Sequence, residues 1–266
     1  MPPVALTVAG SDPSGGAGIQ ADLKTFHQFG VYGEAVITLV TVQNSVRVSR
    51  VEMMTADLVA EQLAAVLEDI PPQAAKTGAL GSAEVVCAVS RVLGSFEFPL
   101  VVDPVMLSTT GMPLASEAAV RVMKRELFPR AALVTPNAPE AEALTGIAVR
   151  TVADMRRAAI ALCEMGPPAA LVKGGHVGDD SETLDVLYDA GQYHEFPAPR
   201  LATMHTHGTG CTYSAAITAG LARGLTLVDA VARARRFVHE AIRTAPGLGR
   251  GSGPVNHHAS CGETPA

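Results

Sequence analysis

Two glycine-rich stretches in this 266-residue chain carry residue types that can handle an anion or a heterocycle. The stronger is "HTHGTGCTYSAAITAGLARG", residues 205–224, where Gly208-Thr209-Gly210 leads directly into a helical pattern. Glycines at a helix start let the main chain approach a ligand closely, and the unpaired first-turn N–H groups and helix dipole favour negative charge. That chemistry is an oxyanion or phosphate hole. Cys211 falls within the first turn, where the same field is expected to lower its pKa and promote the thiolate. It follows Gly-Thr-Gly and lies on no apolar stripe, which favours a functional thiol over a small core filler.

The second stretch, "GSDPSGGAGIQADLKTF" at 10–26, has two phosphate motifs to be weighed against it. Gly10 and Gly15 have Walker A spacing, but Gly16 and Ala17 follow where Lys and Ser or Thr are needed, so that reading fails. Gly16 to Ala21 spells G-x-G-x-x-A, yet a dinucleotide site wants its turn straight off the strand and an acidic residue about 20 positions on. Here Ser11 to Gly15 intervene, and the next apolar run ends in Gln43-Asn44. A carboxamide there suits a neutral heterocycle, because it both donates and accepts hydrogen bonds. A purely structural turn is the remaining alternative.

The elements that must position these residues alternate along the chain. Apolar strand-like runs occur at 4–9, 35–42, 74–77, 100–102, 132–135 and 169–173, with helical patterns between them. Such short runs, spaced by helices, predict a parallel sheet covered on both faces. Runs at 183–188 and 193–196 read as an antiparallel hairpin on one edge. Open parallel sheets bind ligands beyond the carboxyl ends of their strands. The residues found there are 10–18, Gln43-Asn44, Gly78-Ala79-Leu80, Asp103 to Met106, Pro136 to Glu140 and Gly174-Gly175-His176. Taken alone, Asn137 and Glu140 read as a helix cap and its capping-box partner. The convergence of these groups on one sheet edge points to chemistry.

Composition narrows the class further. The chain is 48% hydrophobic and 17% charged, a globular composition, and its length suits one large domain at 1–266. No apolar stretch reaches a membrane span and no basic segment precedes an apolar one at the start, which predicts a cytoplasmic protein. A net charge of -6 without a basic stripe argues against a nucleic-acid partner. The four cysteines form no C-x-x-C pair, so neither zinc nor a disulfide framework is indicated. Cys87 and Cys163 are expected as core fillers.

"VAGSDPSGGAGIQADLKTF", "DPVM", "TPNAPEAE", "VKGGH" and "THGTGCTYSAA", in that order and over nearly the whole chain, resemble the hydroxymethylpyrimidine/phosphomethylpyrimidine kinases of thiamin biosynthesis. These belong to the ribokinase superfamily. Any one block is shared with pyridoxal kinases, which supply the alternative reading. The N-terminal block together with "THGTGCT" is characteristic of the pyrimidine kinases. The resemblance implies a ribokinase-like three-layer α/β/α sandwich with a mostly parallel sheet and an antiparallel edge hairpin. It implies phosphorylation of 4-amino-5-hydroxymethyl-2-methylpyrimidine to its monophosphate and then its diphosphate, with ATP as co-substrate and Mg2+. By that resemblance Gly10, Asp12, Ala17, Asp22, Gln43, Ala79 and Met106 bind the pyrimidine, and Asn137, Lys173, His207 and Thr209 bind ATP. Asp103 and Glu140 hold the metal. Cys211 acts beside the Gly208, Thr209 and Gly210 anion hole, where sugar kinases of the superfamily keep a catalytic aspartate. A homodimer is implied as well.

Some positions depart from the family pattern. Ala79 stands where a methionine commonly packs on the pyrimidine, and His205 where Asn is frequent. Ser108-Thr109-Thr110 replaces a lysine-bearing lid segment, and Met112 stands where Asp is frequent. None of these touches the predicted metal or anion-hole residues.

Overall fold

The computed structural model describes residues 1–108, 111–175, 177 and 181–262. Thr109, Thr110 and His176 therefore lie outside the described residues. The chain opens with β1 (Val4–Ser11), α1 (Gly18–Gln28), β2 (Tyr32–Gln43), β3 (Val48–Met53) and α2 (Ala56–Asp69). Next come β4 (Ala74–Thr77), α3 (Ala83–Leu93), β5 (Leu100–Val102), α4 (Glu117–Val122) and β6 (Leu133–Val134). Then follow α5 (Ala138–Thr145), α6 (Val152–Cys163), β7 (Ala169–Gly174), β8 (Glu182–Asp189), β9 (Gln192–Pro199), α7 (Thr209–Ala222) and α8 (Leu227–Arg243). The strands form one sheet in the order β3-β2-β1-β4-β5-β6-β7-β8-β9.

The six strands from β2 to β7 in that order run parallel. Their side chains alternate between two cores, as a sheet covered on both faces requires. Leu6, Val8, Val102, Val134 and Val172 enter the core under α2, α3, α5 and α6. Ala5, Val101, Leu133 and Leu171 enter the other, against α1, α7 and α8. This is the expected three-layer sandwich. Helix α7 is buried on all sides from Thr212 to Gly220, so it shows no polar stripe.

The hairpin appears as β8 and β9, both antiparallel to their neighbours. Strand β3 was not expected. It closes the opposite edge, antiparallel to β2, and it lacks an apolar run because most of it faces solvent. Arg50 and Glu52 pair at 2.6 Å on its exposed side, the charged dressing that keeps an edge strand from recruiting another. Cys163 packs against the first core, as expected, whereas Cys87 is exposed on the outer face of α3 and fills no core position.

Candidate active site

A cleft of about 880 Å³ opens at the carboxyl ends of the parallel strands, within the range of small-molecule sites. Its first end is lined by Gly10, Asp12, Ala17, Gln43, Ala79 and Met106. Asp103, Glu140, Lys173 and the Gly208–Cys211 turn occupy its middle, with Asn137 and His207 alongside. It continues past Gly175 to Thr183, Asp185, Tyr213, Arg235 and His239. One predicted residue is missing from this set. Asp22 is wholly buried, where its Oδ2 accepts from Thr7 Oγ1 at 2.6 Å and from Lys76 Nζ at 2.8 Å.

Asp22 thus pairs with a buried lysine and stands behind the residues that line the cleft, with its Oδ1 buried and without a hydrogen-bond partner. A lysine inside the apolar β4 run was the signal that could have found this pair. Burial opposes the charge on Lys76, but Asp22, with Cys211 and Asp103 adding to it, holds the pKa above its ordinary value. Breaking a buried pair strands one charge and typically costs about 3–5 kcal/mol. Asp22→Asn should accordingly lower the denaturation free energy strongly while leaving the KM for a heterocyclic substrate nearly unchanged. A raised KM with unaltered stability would return Asp22 to the ligand.

Residues 12–17, the loop that the sequence reading gives to a heterocycle, are organised by Asp12. One carboxylate oxygen, Oδ1, accepts from Ser14 N at 2.8 Å, and Oδ2 accepts from Ser14 Oγ and Ala17 N, both at 2.9 Å, and from Gly16 N at 3.2 Å. His207 Nε2 reaches the same Oδ2 at 2.8 Å. Burial opposes ionisation, yet the hydrogen bonds from His207, Ser14 and Gln43 hold Asp12 well below the usual carboxylate range. Asp12 is thus occupied within the protein. Gln43 lines the same end of the cleft, and its carboxamide can both donate to and accept from a heterocycle.

The middle of the cleft collects charge. Lys173, at the end of β7, lies 3.0 Å from Asp103 Oδ1, and Asp103 also accepts from Thr135 Oγ1 at 3.2 Å and Ser214 Oγ at 3.1 Å. Thr135 and Ser214 were not anticipated; Ser214 sits one turn beyond Cys211. Burial disfavours the Lys173 ammonium, but Asp103 and Glu140 outweigh it and raise its pKa. Above this group, Gly208 caps α7 in the left-handed region at φ 80° with no side-chain cap, leaving first-turn amides turned outward. A Cβ at Gly210 would sit 3.4 Å from Lys173 Nζ and 3.9 Å from Asp103 Oδ2. The missing side chain is the space in which an anion can meet both the amides and the lysine.

Two expectations change here. Burial pushes the Cys211 thiol up to about 12, with Asp22 and Asp103 adding to the rise and Lys76 opposing it. Dehydration thus opposes the helix field at this half-buried residue and disfavours the thiolate that the sequence predicts. Asn137 and Glu140 do form the capping box, with Asn137 N donating to Glu140 Oε2 and Glu140 N to Asn137 Oδ1, both at 2.8 Å. The cap also faces the cleft, so the structural and functional readings of Glu140 coexist.

Asp103 and Glu140 suit a divalent cation carried by a nucleotide. Hard oxygen donors fit Mg2+, which usually takes one or two carboxylates and completes its shell with phosphates and water. Among the described residues no group of three or more metal-ligating side chains is poised for an ion. Burial pushes Glu140 up to about 7 against the pull of Lys173, with Asp103 contributing to the rise. Below that pH the acid holds a proton that a metal must displace. Calorimetry in buffers of different ionisation heat should therefore show Mg2+–nucleotide binding releasing a proton at pH 6 and much less at pH 8. Glu140→Gln should abolish the difference. The same shift removes stability from the ligand-free protein as pH rises from the ordinary value of 4.5 to about 7, and nothing further from this group above it.

The family model for phosphomethylpyrimidine kinase matches residues 12–256. A hydroxymethylpyrimidine/phosphomethylpyrimidine kinase of Bacillus subtilis is 43% identical over 256 residues, covering 96% of this chain and 94% of that protein. The thiamine biosynthesis bifunctional protein ThiED of Geobacter sulfurreducens is 49% identical over 95% of this chain, which spans only 51% of it. Among solved structures, the phosphomethylpyrimidine kinase of Clostridium difficile superposes with a TM-score of 0.80 at 40% identity, covering 90% of this chain and 99% of that one. The pyridoxal kinase of Staphylococcus aureus with AMP-PCP and pyridoxal gives 0.90 at 34% identity over 97% and 94%. With nearly its whole length matched in sequence and in fold, this chain belongs to the phosphomethylpyrimidine kinase family.

Proposed function

We propose that this protein transfers phosphoryl groups from ATP to 4-amino-5-hydroxymethyl-2-methylpyrimidine, first to the monophosphate and then to the diphosphate. The observation that carries the substrate class is the place of Gln43 at the first end of the cleft, beside Gly10, Asp12 and Ala17, where a carboxamide can accept from the amino group of an aminopyrimidine and donate to its ring nitrogen. Bound Mg2+, held by Asp103 and Glu140, supplies neutralisation of phosphate charge. Lys173 and the α7 amides contribute the protein's own share, in the space that Gly210 leaves open. In the first transfer the substrate alcohol oxygen bonds to the γ-phosphorus as the bond to the bridging oxygen breaks, ADP leaves, and the alcohol proton passes to a transferred phosphoryl oxygen. The second acceptor is a phosphate monoester with a second pKa near 6, about as ionised as needed at neutral pH.

A neutral Cys211 thiol shapes the hole without serving as the resting base. Cys211→Ala keeps the backbone N–H, so single-turnover rates of the two transfers should fall together, by less than the roughly 10²–10⁴ of a lost general base. Selective loss of the first transfer would restore the base role. Pyridoxal is the competing substrate, because Ala79 leaves room in the first end of the cleft. The deciding experiment compares Mg2+-dependent ATP consumption with the aminopyrimidine and with pyridoxal. A higher kcat/KM for the aminopyrimidine supports the assignment, and a higher value for pyridoxal overturns it.

We read residues 1–266 as one kinase domain. Among the described residues no helix is long and apolar enough to cross a membrane. The four free cysteines suit a reducing compartment, which supports a cytoplasmic enzyme. Val40, Val42, Val46 and Met53 are exposed apolar side chains at the β3 end of β2, on β3 and on their connection. They offer a face for the homodimer, which sedimentation velocity would test.

A further inference from the structure

We propose that Asp12 and His207 form a positioning link that makes the heterocycle loop and the phosphate hole one mechanical unit, so that pyrimidine and nucleotide bind cooperatively. The proposal rests on the functional reading above for the identity of the two ligands. The link itself rests on geometry. The two residues lie 195 positions apart in sequence and meet at 2.8 Å. Asp12 is the one carboxylate on which the heterocycle loop turns, accepting from three of its backbone amides and one hydroxyl. Because that carboxylate is ionised, His207 Nε2 carries the proton and donates, which makes the contact charge-assisted.

His207 directly precedes Gly208, the cap of α7, so any movement of its ring is transmitted to the amides that receive phosphate. The loops also touch through their backbones. A Cβ at Gly208 would lie 1.7 Å from Gly16 O, and one at Gly16 would lie 2.5 Å from His207 Cδ2. His207 is fixed from its other side by the C-terminal tail, its N–H donating to Gly253 O at 3.0 Å and its carbonyl accepting from Val255 N at 3.3 Å. A heterocycle that orders residues 12–17 therefore also orders residues 207–211. The second ligand then binds to a site whose ordering is already complete, which is positive coupling.

The link can be tested with and without ligands. In the ligand-free protein, Asp12→Asn changes a residue of the heterocycle loop, yet amide exchange at Thr209 and Thr212, whose N–H groups donate to Thr206 O and Gly208 O, should accelerate at least about tenfold, the scale set by one charge-assisted hydrogen bond. His207→Gln should do the same at 14–17. In wild type, 4-amino-5-hydroxymethyl-2-methylpyrimidine should tighten AMP-PCP binding by at least about fivefold, the lower end of typical coupling, and reciprocally. Both variants should reduce that factor to near one, and the double variant should add nothing. Unchanged exchange across the contact overturns the link, as does coupling that survives in both variants or is absent from wild type. If exchange responds as expected and AMP-PCP binds but the pyrimidine does not, the substrate assignment fails while the link stands.

Discussion

Replacing Lys173 with Met should lower kcat for both phosphoryl transfers by about 10²–10³, the usual cost of removing one preorganised charge stabiliser from a transition state. Methionine keeps the aliphatic volume and deletes the ammonium. The loss should fall on kcat, since charge on the transferring group develops during reaction, whereas the pyrimidine KM should stay within a few-fold because Gln43 and Ala79 are untouched. Asp103 loses its ion-pair partner but keeps its hydrogen bonds from Thr135 and Ser214, so the variant should melt lower yet remain folded at assay temperature. Steady-state kinetics with each acceptor and a thermal melt check this. A change confined to the pyrimidine KM would remove Lys173 from the phosphate.

Gly208→Ala should be more damaging than its size suggests. The residue sits at φ 80°, where any side chain is strained, and its Cβ would meet the Gly16 carbonyl oxygen. That neighbour is backbone, so the strain cannot be relieved by a rotamer change. The two loops must separate, carrying the α7 amides away from Lys173. A misplacement of about 1 Å at a reacting centre costs on the order of 10²-fold in rate. Both transfers should fall by at least that factor. An alanine variant with wild-type rates would show that the hole does not depend on this approach. Gly210→Ala makes a useful comparison, because its Cβ has 3.4 Å to the Lys173 ammonium and so perturbs the anion space without forcing the loops apart.

What could be read from sequence divides along the range of the interactions. The Gly-Thr-Gly cap, the Asn137–Glu140 box and the polar ends of buried strands are local patterns. Each was visible because its residues are neighbours in the chain. Strand β3 was hidden because its edge position leaves Ser49, Arg50 and Glu52 in solvent, so it carries no hydrophobic signature. The pairing of Asp22 was hidden because its partner, Lys76, lies 54 residues away. The Asp12–His207 contact spans still more chain. At Cys211 the two ranges compete: a helix N-terminus is a local feature, but the dehydration that opposes it comes from the packing of the whole fold. Sequence supplied the groups in the cleft, while their charge states came from tertiary burial.

The central claim is that one cleft phosphorylates an aminopyrimidine twice. The direct measurement is a mass-spectrometric time course of the purified protein with ATP, Mg2+ and 4-amino-5-hydroxymethyl-2-methylpyrimidine, run in parallel with pyridoxal. The account predicts a monophosphate that rises and is then consumed as the diphosphate accumulates, with both steps lost together in Lys173→Met. A product set limited to pyridoxal phosphate, or a pyrimidine monophosphate that is never carried to the diphosphate, would contradict it.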